Sequence, residues 1–240
     1  MHPVGRSTAP RAAPRASEEP IVRLQGVSKT YDQQTWPLAG VDLTLRRGDF
    51  VIITGASGVG KSTLLKLLYG AERATAGRVM VQGHDVTHLQ GDRLARFRRT
   101  IGVVFQDYKL IGDRTVADNI AFVLQTQGRS QREIDRRLLP TLKMVGLAHK
   151  AHCLPHQLSG GEQQRASLAR AIVSTPPLIL ADEPTGNLDA ENAQQILRTL
   201  QNLNAYGATV IVTTHDRYLA SLAKRPVMQL QGGQLFPVKS

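Results

Sequence analysis

The chain of 240 residues has one cysteine, one tryptophan and no apolar run near the ~20 residues needed to cross a bilayer. The single Cys153 excludes a disulfide within the chain and suits a reducing compartment. The first 20 residues hold three arginines and no apolar block, so we expect no signal peptide and a disordered tail at 1–20. These features favour a cytosolic globular domain over a secreted or membrane-spanning one.

Acidic residues are fewer than basic ones, 19 against 30, and the formal net charge is +11. Arginines fall in two runs, namely Arg93, Arg96, Arg98 and Arg99, and Arg129, Arg132, Arg136 and Arg137. A solvated face, attraction to an anionic membrane surface and nucleic acid binding all remain open as explanations. Because no aromatic residues interleave with these arginines to stack on bases, we expect no nucleic acid partner.

Potential metal ligands cluster at His149, His152, Cys153 and His156. Zinc sites generally draw on several thiolate or imidazole ligands at regular spacing, and no second cysteine is present. Leu154-Pro155 also interrupts any continuous helical face. We therefore expect no zinc.

Strand patterns alternate with helical ones along most of the chain. Strand patterns occur at 21–29, 38–45, 50–54, 78–81, 101–105, 178–181 and 209–214, with a hairpin around 227–237. Helical patterns occur at 92–99, where Asp92 is the expected cap, and at 115–127, 131–145, 162–174 and 190–204. This alternation predicts an α/β fold with a mainly parallel core sheet, interrupted by a helical subdomain at about 107–160.

A glycine-rich loop follows the apolar strand at 50–54 and leads into a helical pattern. It comprises Gly55, Ala56, Ser57, Gly58, Val59, Gly60, Lys61, Ser62 and Thr63. Such a loop aims backbone N–H groups at phosphate oxygens, and the positive end of the following helix adds to the attraction. Lys61 can reach the β- and γ-phosphates, and the Ser62 hydroxyl can ligate Mg²⁺. The motif in this setting predicts a nucleotide phosphate site.

Polar side chains also stand at the ends of later strands. Asp182 and Glu183 end an apolar strand, where the first acid can hold Mg²⁺ and the second can act as a base on water. Gln106 and His215 end two other strands, and could contact Mg²⁺, water or the γ-phosphate. Taken alone, side chains of this kind are more often ordinary polar residues at strand ends.

The ordered set of motifs resembles that of the ATP-binding-cassette (ABC) ATPases over residues 21–236. Its members are GASGVGKST at 55–63, Gln106, LSGGEQQR at 158–165, LADEP at 180–184, NLD at 187–189 and His215. The resemblance implies a P-loop NTPase domain at 21–240, a small antiparallel β subdomain and hydrolysis of MgATP, with Mg²⁺ held by Ser62, Gln106 and Asp182.

The same resemblance implies that two copies of the chain bind head to tail. Ser159, Gly160 and Gly161 of one copy would then contact the γ-phosphate held by Lys61 of the other. Tyr31 lies where the family stacks an aromatic ring on adenine, although packing at a strand edge is an alternative for this residue.

Within the family, the stretch at 98–119 is most similar to the cell-division branch. That similarity implies an integral membrane partner resembling FtsX, a peripheral position on the cytoplasmic face of the inner membrane, and regulation of cell-wall hydrolysis. The alternative is the ATPase of a lipoprotein-releasing or macrolide-type exporter. Tyr108, Leu110 and Ile111 follow Gln106 directly, and we interpret them either as a docking surface for the partner or as packing of the helical subdomain.

Overall fold

The computed structural model describes residues 19–186 and 188–238. Most of the predicted tail at 1–20 lies outside the described residues, and so does Asn187 of the motif at 187–189. The described part contains two β-sheets and seven α-helices. None of the helices in these two ranges is long and apolar enough to span a membrane.

Strands and helices alternate in the order that the sequence patterns predict. The strands are β1 (Val22–Lys29), β2 (Leu38–Leu45), β3 (Phe50–Thr54), β4 (Ala76–Val81), β5 (His84–Asp85), β6 (Ile101–Val104), β7 (Leu178–Asp182), β8 (Thr209–Thr214), β9 (Val227–Gln231) and β10 (Gln234–Val238). The helices are α1 (Lys61–Leu68), α2 (Gly91–Arg98), α3 (Val116–Thr126), α4 (Gln131–Met144), α5 (Gly160–Ile172), α6 (Ala190–Ala205) and α7 (Arg217–Leu222). No helix was predicted at 217–222, and β5 was also missed.

The larger sheet has six strands in the order β10-β9-β3-β8-β7-β6. Every neighbouring pair in it is parallel except the terminal hairpin of β9 and β10. The smaller sheet is antiparallel, in the order β2-β1-β4-β5. The predicted mainly parallel core sheet is therefore confirmed, as is the small antiparallel part, and α3 and α4 are inserted between β6 and β7.

Alternation along β3 divides the core between the two faces of the large sheet. Phe50 and Ile52 pack in a cluster with buried residues of α3, α5 and α6, whereas Val51 and Ile53 pack with α1 and the antiparallel sheet. All five residues of β3 are buried, because the sheet is covered on both faces. The strand that leads into the glycine-rich loop is thus among the most enclosed elements of the molecule.

Reciprocal side-chain caps fix where the inserted helices begin. The Thr115 hydroxyl caps α3 and the Ser130 hydroxyl caps α4, and each accepts the backbone N–H of the residue three positions later. The acidic side chain of that later residue in turn accepts the backbone N–H of the capping residue. Ser159 caps α5 in the same way, so this helix begins at Gly160 rather than at the predicted 162. The favourable cap outweighs the low helix propensity of the two glycines that open the helix.

Asp92 is not the cap of α2. The N-cap position belongs to Gln90, and Asp92 lies exposed in the first turn of the helix. An acid in the first turn still interacts favourably with the positive helix end, although it accepts no capping hydrogen bond.

Candidate functional site

The carboxyl ends of the central parallel strands meet at one edge of the large sheet. Thr54 at the end of β3 is in register with Thr214 of β8, and Asp182 of β7 is in register with Thr213. Ligand contacts in open parallel sheets concentrate at this edge. The glycine-rich loop, Asp182, Glu183 and His215 all follow these strand ends.

The Lys61 side chain is hydrogen-bonded to the first residues of the glycine-rich loop. Its ammonium donates hydrogen bonds to the carbonyl oxygens of Gly55, at 2.8 Å, and Ala56, at 2.9 Å, and the residue is only 5% exposed. Gly60, just before it, has φ of 118° and lies so close to Pro37 that an added Cβ would be 2.5 Å from the Pro37 carbonyl oxygen. The loop therefore holds the Lys61 ammonium among backbone carbonyl oxygens at the start of α1.

Glu183 connects the loop to the neighbouring strands. Its Oε1 lies 3.1 Å from the Lys61 ammonium, and its Oε2 lies 2.8 Å from Nδ1 of His215 and accepts the His215 backbone N–H at 3.1 Å. The Glu183 residue is 7% exposed and has φ of 45°, a left-handed conformation that is unfavourable for a residue with a side chain. A strained backbone that aims a buried carboxylate at a lysine and a histidine is typical of a functional site.

Thr213 positions both acids at the end of β7. Its hydroxyl donates to Asp182 Oδ1 at 2.7 Å, and its carbonyl oxygen accepts the Glu183 N–H at 3.1 Å. Sequence reasoning missed this residue, because a threonine within a strand of β-branched residues carries no distinguishing signal.

A carboxylate and a hydroxyl are available as hard oxygen ligands. Asp182 is half-buried with one oxygen already bonded to Thr213, and Ser62, also half-buried, lies in the first turn of α1. This donor set suits Mg²⁺, which prefers oxygen ligands and is usually held by few protein groups together with phosphates. Gln106, the third predicted ligand, is exposed in the turn two residues beyond β6, and within the described residues it forms no hydrogen bond with Lys61, Asp182 or Glu183.

Tyr31 stands at the rim of an open depression beside the glycine-rich loop. It is 57% exposed, and its hydroxyl lies 3.3 Å from the Thr63 hydroxyl oxygen, so that the ring is fixed next to the start of α1. The Lys29 ammonium lies 4.6 Å from the ring centroid. Tyr31, Thr63 and Gly58 line the same depression, which can receive a flat ring against the tyrosine face.

Ser159, Gly160 and Gly161 stand at the amino end of α5. Ser159 is exposed and its N–H donates to Glu162 Oε2 at 2.8 Å, a hydrogen bond that lowers the pKa of Glu162 more than the nearby Lys150 does. Gly160 is exposed, but Gly161 is buried against Asn192 of α6. No hydrogen bond or ion pair joins 158–165 to the loop at 55–63 in the described ranges.

The loop after Gln106 is held by two residues that sequence reasoning missed. Tyr108 and Lys109 both have left-handed backbones, and the half-buried Arg170 of α5 donates to the carbonyl oxygens of both. Asn119 of α3, fully buried, accepts the Ile111 N–H at 2.8 Å and donates to the Ile111 carbonyl oxygen at 3.0 Å. A polar residue at a buried position of α3 was the one available signal for Asn119, whereas Arg170 is separated from its partners by about 60 residues.

Comparison with known proteins identifies the class of protein that this geometry serves. The family model for the ABC transporter matches residues 38–186, which include the glycine-rich loop and both acids. The chain therefore belongs to the ABC transporter family, and it is an ATP-hydrolysing enzyme with the P-loop NTPase fold.

Particular relatives in this family are cell division proteins. The chain is 46% identical over 215 residues to the cell division ATP-binding protein FtsE of Escherichia coli K12, covering 90% of this chain and 97% of that protein. It is 40% identical over 215 residues to FtsE of Streptococcus pneumoniae D39, covering 90% and 94% respectively.

A solved ABC cassette has the same fold. The dimeric structure of MJ0796 in a post-hydrolysis state, bound to ADP and Pi, superimposes with a TM-score of 0.84 at 37% identity. The match covers 91% of this chain and 98% of the other.

Proposed function

We propose that the chain hydrolyses MgATP as a head-to-tail homodimer and drives an integral membrane partner resembling FtsX in bacterial cell division. The observation that carries the catalytic part is the Glu183 carboxylate, which is held between the Lys61 ammonium and His215. A buried carboxylate so placed can accept a proton from water at the position where Lys61 holds a γ-phosphate.

Each predicted site residue then has a role in the reaction. Backbone N–H groups of the loop at 55–63 and the Lys61 ammonium bind the phosphates, and the ring of Tyr31 stacks on adenine. Ser62, Asp182 and Gln106 would hold Mg²⁺, which when bound neutralises phosphate charge. Glu183 acts as the base, and His215 orients the Glu183 carboxylate through its Nδ1 and N–H contacts.

The second chain is needed to complete the site. Ser159 and Gly160 are exposed at the amino end of α5, a helix end that attracts anions, and yet they make no hydrogen bond to the loop of their own chain within the described residues. The solved structure of MJ0796 is dimeric. We infer that two copies place each Ser159–Gly161 segment on the phosphate held by the other copy.

The membrane partner is inferred from the cell division relatives at 40–46% identity. The protein would lie on the cytoplasmic face of the inner membrane, held there by that partner, and would control cell-wall hydrolysis through it. The alternative partner is the membrane subunit of a lipoprotein-releasing or macrolide-type exporter. Identification of the membrane protein that co-purifies with the chain decides between them.

The shared site can be tested by mixing two inactive variants. Ser159→Arg loses the donated half and Lys61→Met loses the receiving half, so each variant alone should be inactive. A mixture forms dimers with one complete site, and we expect recovery of about a quarter of wild-type activity if sites act independently. A mixture as inactive as its components, or a fully active monomer in light scattering, would contradict the dimer.

The base is tested separately by Glu183→Gln. Glutamine keeps the shape but cannot accept a proton, and loss of one general base typically lowers the rate by ~10²–10⁴. Nucleotide binding should persist, and ATP should trap the dimer in light scattering. Near-normal turnover of Glu183→Gln would remove Glu183 from its role while leaving the dimer test intact.

A further inference from the structure

A basic concavity of about 330 Å³ lies where the ends of three helices meet. Its charged lining comes from Arg96 and Arg99 at the end of α2 and from Arg129, which follows α3. The rest of its wall comes from residues 174–177, between α5 and β7, together with Thr100 and Gln127. The structure thus brings together members of two arginine runs that are about 30 residues apart in the sequence.

This concavity is separate from the nucleotide site. Thr100 directly precedes β6, and Pro177 directly precedes β7, so the concavity lies at the amino ends of these strands. Asp182 ends β7 and Glu183 follows it, at the opposite edge of the sheet. A ligand here would therefore not compete with ATP.

The walls of the concavity are held by polar contacts between the segments. The Gln127 side chain donates to the Arg99 carbonyl oxygen at 2.9 Å and so joins the ends of α3 and α2. Arg137 of α4 donates to the Thr175 hydroxyl at 3.2 Å, and its Nε is buried without a hydrogen-bond partner. The concavity is consequently a built feature of the fold and not a chance meeting of surface side chains.

The described residues neutralise only part of its positive charge. The side chains of Arg96 and Arg99 form no ion pair or hydrogen bond with any described residue, while Arg98 between them donates to the carbonyl oxygens of Tyr69 and Gly70. Arg129 meets one exposed carboxylate, that of Glu133, at 3.5 Å.

The helix ends do not balance this charge either. The ends of α2, α3 and α5 each contribute about half a negative charge. Together with Glu133 they leave a small excess of positive charge on the three lining guanidinium groups of Arg96, Arg99 and Arg129, to which Arg137, bonded to Thr175 of the wall, adds.

We propose that this concavity binds a phosphate-bearing ligand, which is either the headgroup of an anionic phospholipid or a free phosphorylated compound. Guanidinium groups bind phosphate oxygens through paired N–H donors, and three of them line this concavity. Among the described residues no aromatic side chain lines the concavity, which disfavours single-stranded nucleic acid because stacking platforms are missing.

The test compares two variants of the full chain with equal charge. Arg96→Gln/Arg99→Gln removes two guanidinium groups from the concavity, and Arg93→Gln/Arg132→Gln removes two exposed ones outside it. Free phosphate is represented by inorganic pyrophosphate in calorimetry, with a saturating non-hydrolysable ATP analogue filling the loop at 55–63. The lipid headgroup is represented by sedimentation with phosphatidylcholine vesicles that contain or lack phosphatidylglycerol.

We expect Arg96→Gln/Arg99→Gln to bind the phosphate probe at least about tenfold more weakly, since the variant removes the donors of charge-assisted hydrogen bonds, which are roughly twice as strong as neutral ones. Arg93→Gln/Arg132→Gln should change binding less than about twofold, because these two side chains do not line the concavity and could act on the ligand only through screened charge. Binding of pyrophosphate identifies a free ligand, and binding only to phosphatidylglycerol vesicles identifies a headgroup. ATP hydrolysis without vesicles should be unchanged in both variants.

Three results would overturn the proposal. The first is an equal loss of binding in the two variants, which would show that only diffuse surface charge acts. The second is a wild-type chain that binds neither probe. The third is binding confined to a single-stranded DNA oligonucleotide titrated alongside these probes, which would assign the arginines to nucleic acid.

Discussion

Glycines open two helices of this molecule for different physical reasons. Gly60, before α1, has φ of 118°, and an added Cβ would lie 2.5 Å from the Pro37 carbonyl oxygen. Gly161, in the first turn of α5, has an ordinary helical backbone, and its added Cβ would lie 2.7 Å from the Asn192 side chain. The first glycine is required by backbone conformation and backbone contact, the second by side-chain packing within one chain.

The loop at 55–63 and the segment at 159–161 also differ in the residues to which they are bonded. The loop at 55–63 is bonded within its own chain, through Lys61, to the acid and histidine of the neighbouring strands. The segment at 159–161 is bonded locally by its capping box and packs on α6. The loop at 55–63 therefore carries a nearly complete site, whereas the segment at 159–161 exposes the amino end of α5 at the protein surface.

The largest effect should come from Gly60→Ala compared with Gly58→Ala. Both glycines have positive φ, and an alanine in that conformation costs roughly 1–2 kcal/mol. Gly60→Ala also meets the Pro37 carbonyl oxygen, and overpacking adds typically ~1–3 kcal/mol, whereas nothing lies within 4 Å of a Cβ on Gly58. Denaturant unfolding and ATP titration should therefore show a clearly larger loss for Gly60→Ala, and equal losses would refute the steric explanation.

Gly161→Ala should destabilise the fold by about 1–3 kcal/mol through overpacking on Asn192. The cost should shrink in an Asn192→Ala background, because the side chain that is in the way has been removed. A double-mutant cycle of unfolding free energies measures this coupling. Purely additive losses would show that Gly161 is required for some reason other than Asn192.

The packing of Gly161 on Asn192 also decides which variant is the better test of the dimer. Gly161→Asp would disturb packing within the chain and contact across the dimer at once, whereas Ser159 is exposed. Ser159→Arg is therefore the cleaner probe of the shared site.

A smaller effect on stability is expected for Tyr108→Ser/Ile111→Ser. Leu110 packs against the core cluster that contains Phe50 and Ile52, whereas Tyr108 and Ile111 are half-buried and lie outside this cluster. If these two side chains dock the membrane partner, recruitment to the membrane should be lost while ATP binding and melting temperature stay nearly unchanged. Leu110→Ser is the matched control and should lower the melting temperature. A large fall for the double variant, with intact partner pull-down, would assign Tyr108 and Ile111 to internal packing.

The smallest effect is expected for Glu162→Gln, which replaces the carboxylate that accepts the Ser159 N–H. The Ser159 N–H holds the pKa of Glu162 below its ordinary value of 4.5, so the charged form contributes stability above that pH. The difference in unfolding free energy between wild type and Glu162→Gln should be constant from neutral pH to about 5. It should then diminish as the pH falls through the lower folded pKa.

The magnitude of that difference should stay below about 1 kcal/mol, because solvent screens partly exposed charges. Glu133→Gln is the control, since it removes the same kind of cap from α4, far from the proposed dimer contact. Both variants should lose stability similarly, but only Glu162→Gln should reduce hydrolysis. A greater advantage of wild type at acid pH would contradict the sign of the pKa shift.

Sequence patterns predicted most elements because local rules act over a few residues. Alternation identified the strand at 38–45, β-branched residues identified the strand at 209–214, and the helical pattern at 131–145 identified α4. The prediction was wrong at the start of α5, where two glycines concealed a strong cap, and the helix at 217–222 was missed altogether. The roles of the site residues stay predictions until the variants are measured.

The sequence by itself determined the nucleotide motifs, the order of strands and helices, and the excess of arginine. These follow from chain-local spacing, which needs no knowledge of distant contacts. Only the tertiary structure decided that Glu183 meets both Lys61 and His215, that Arg170 holds the loop after Gln106, and that two arginine runs share one concavity. The reason is that parallel strands bring residues far apart in the chain to one edge of a sheet, and no pattern of neighbouring residues specifies which of them will touch.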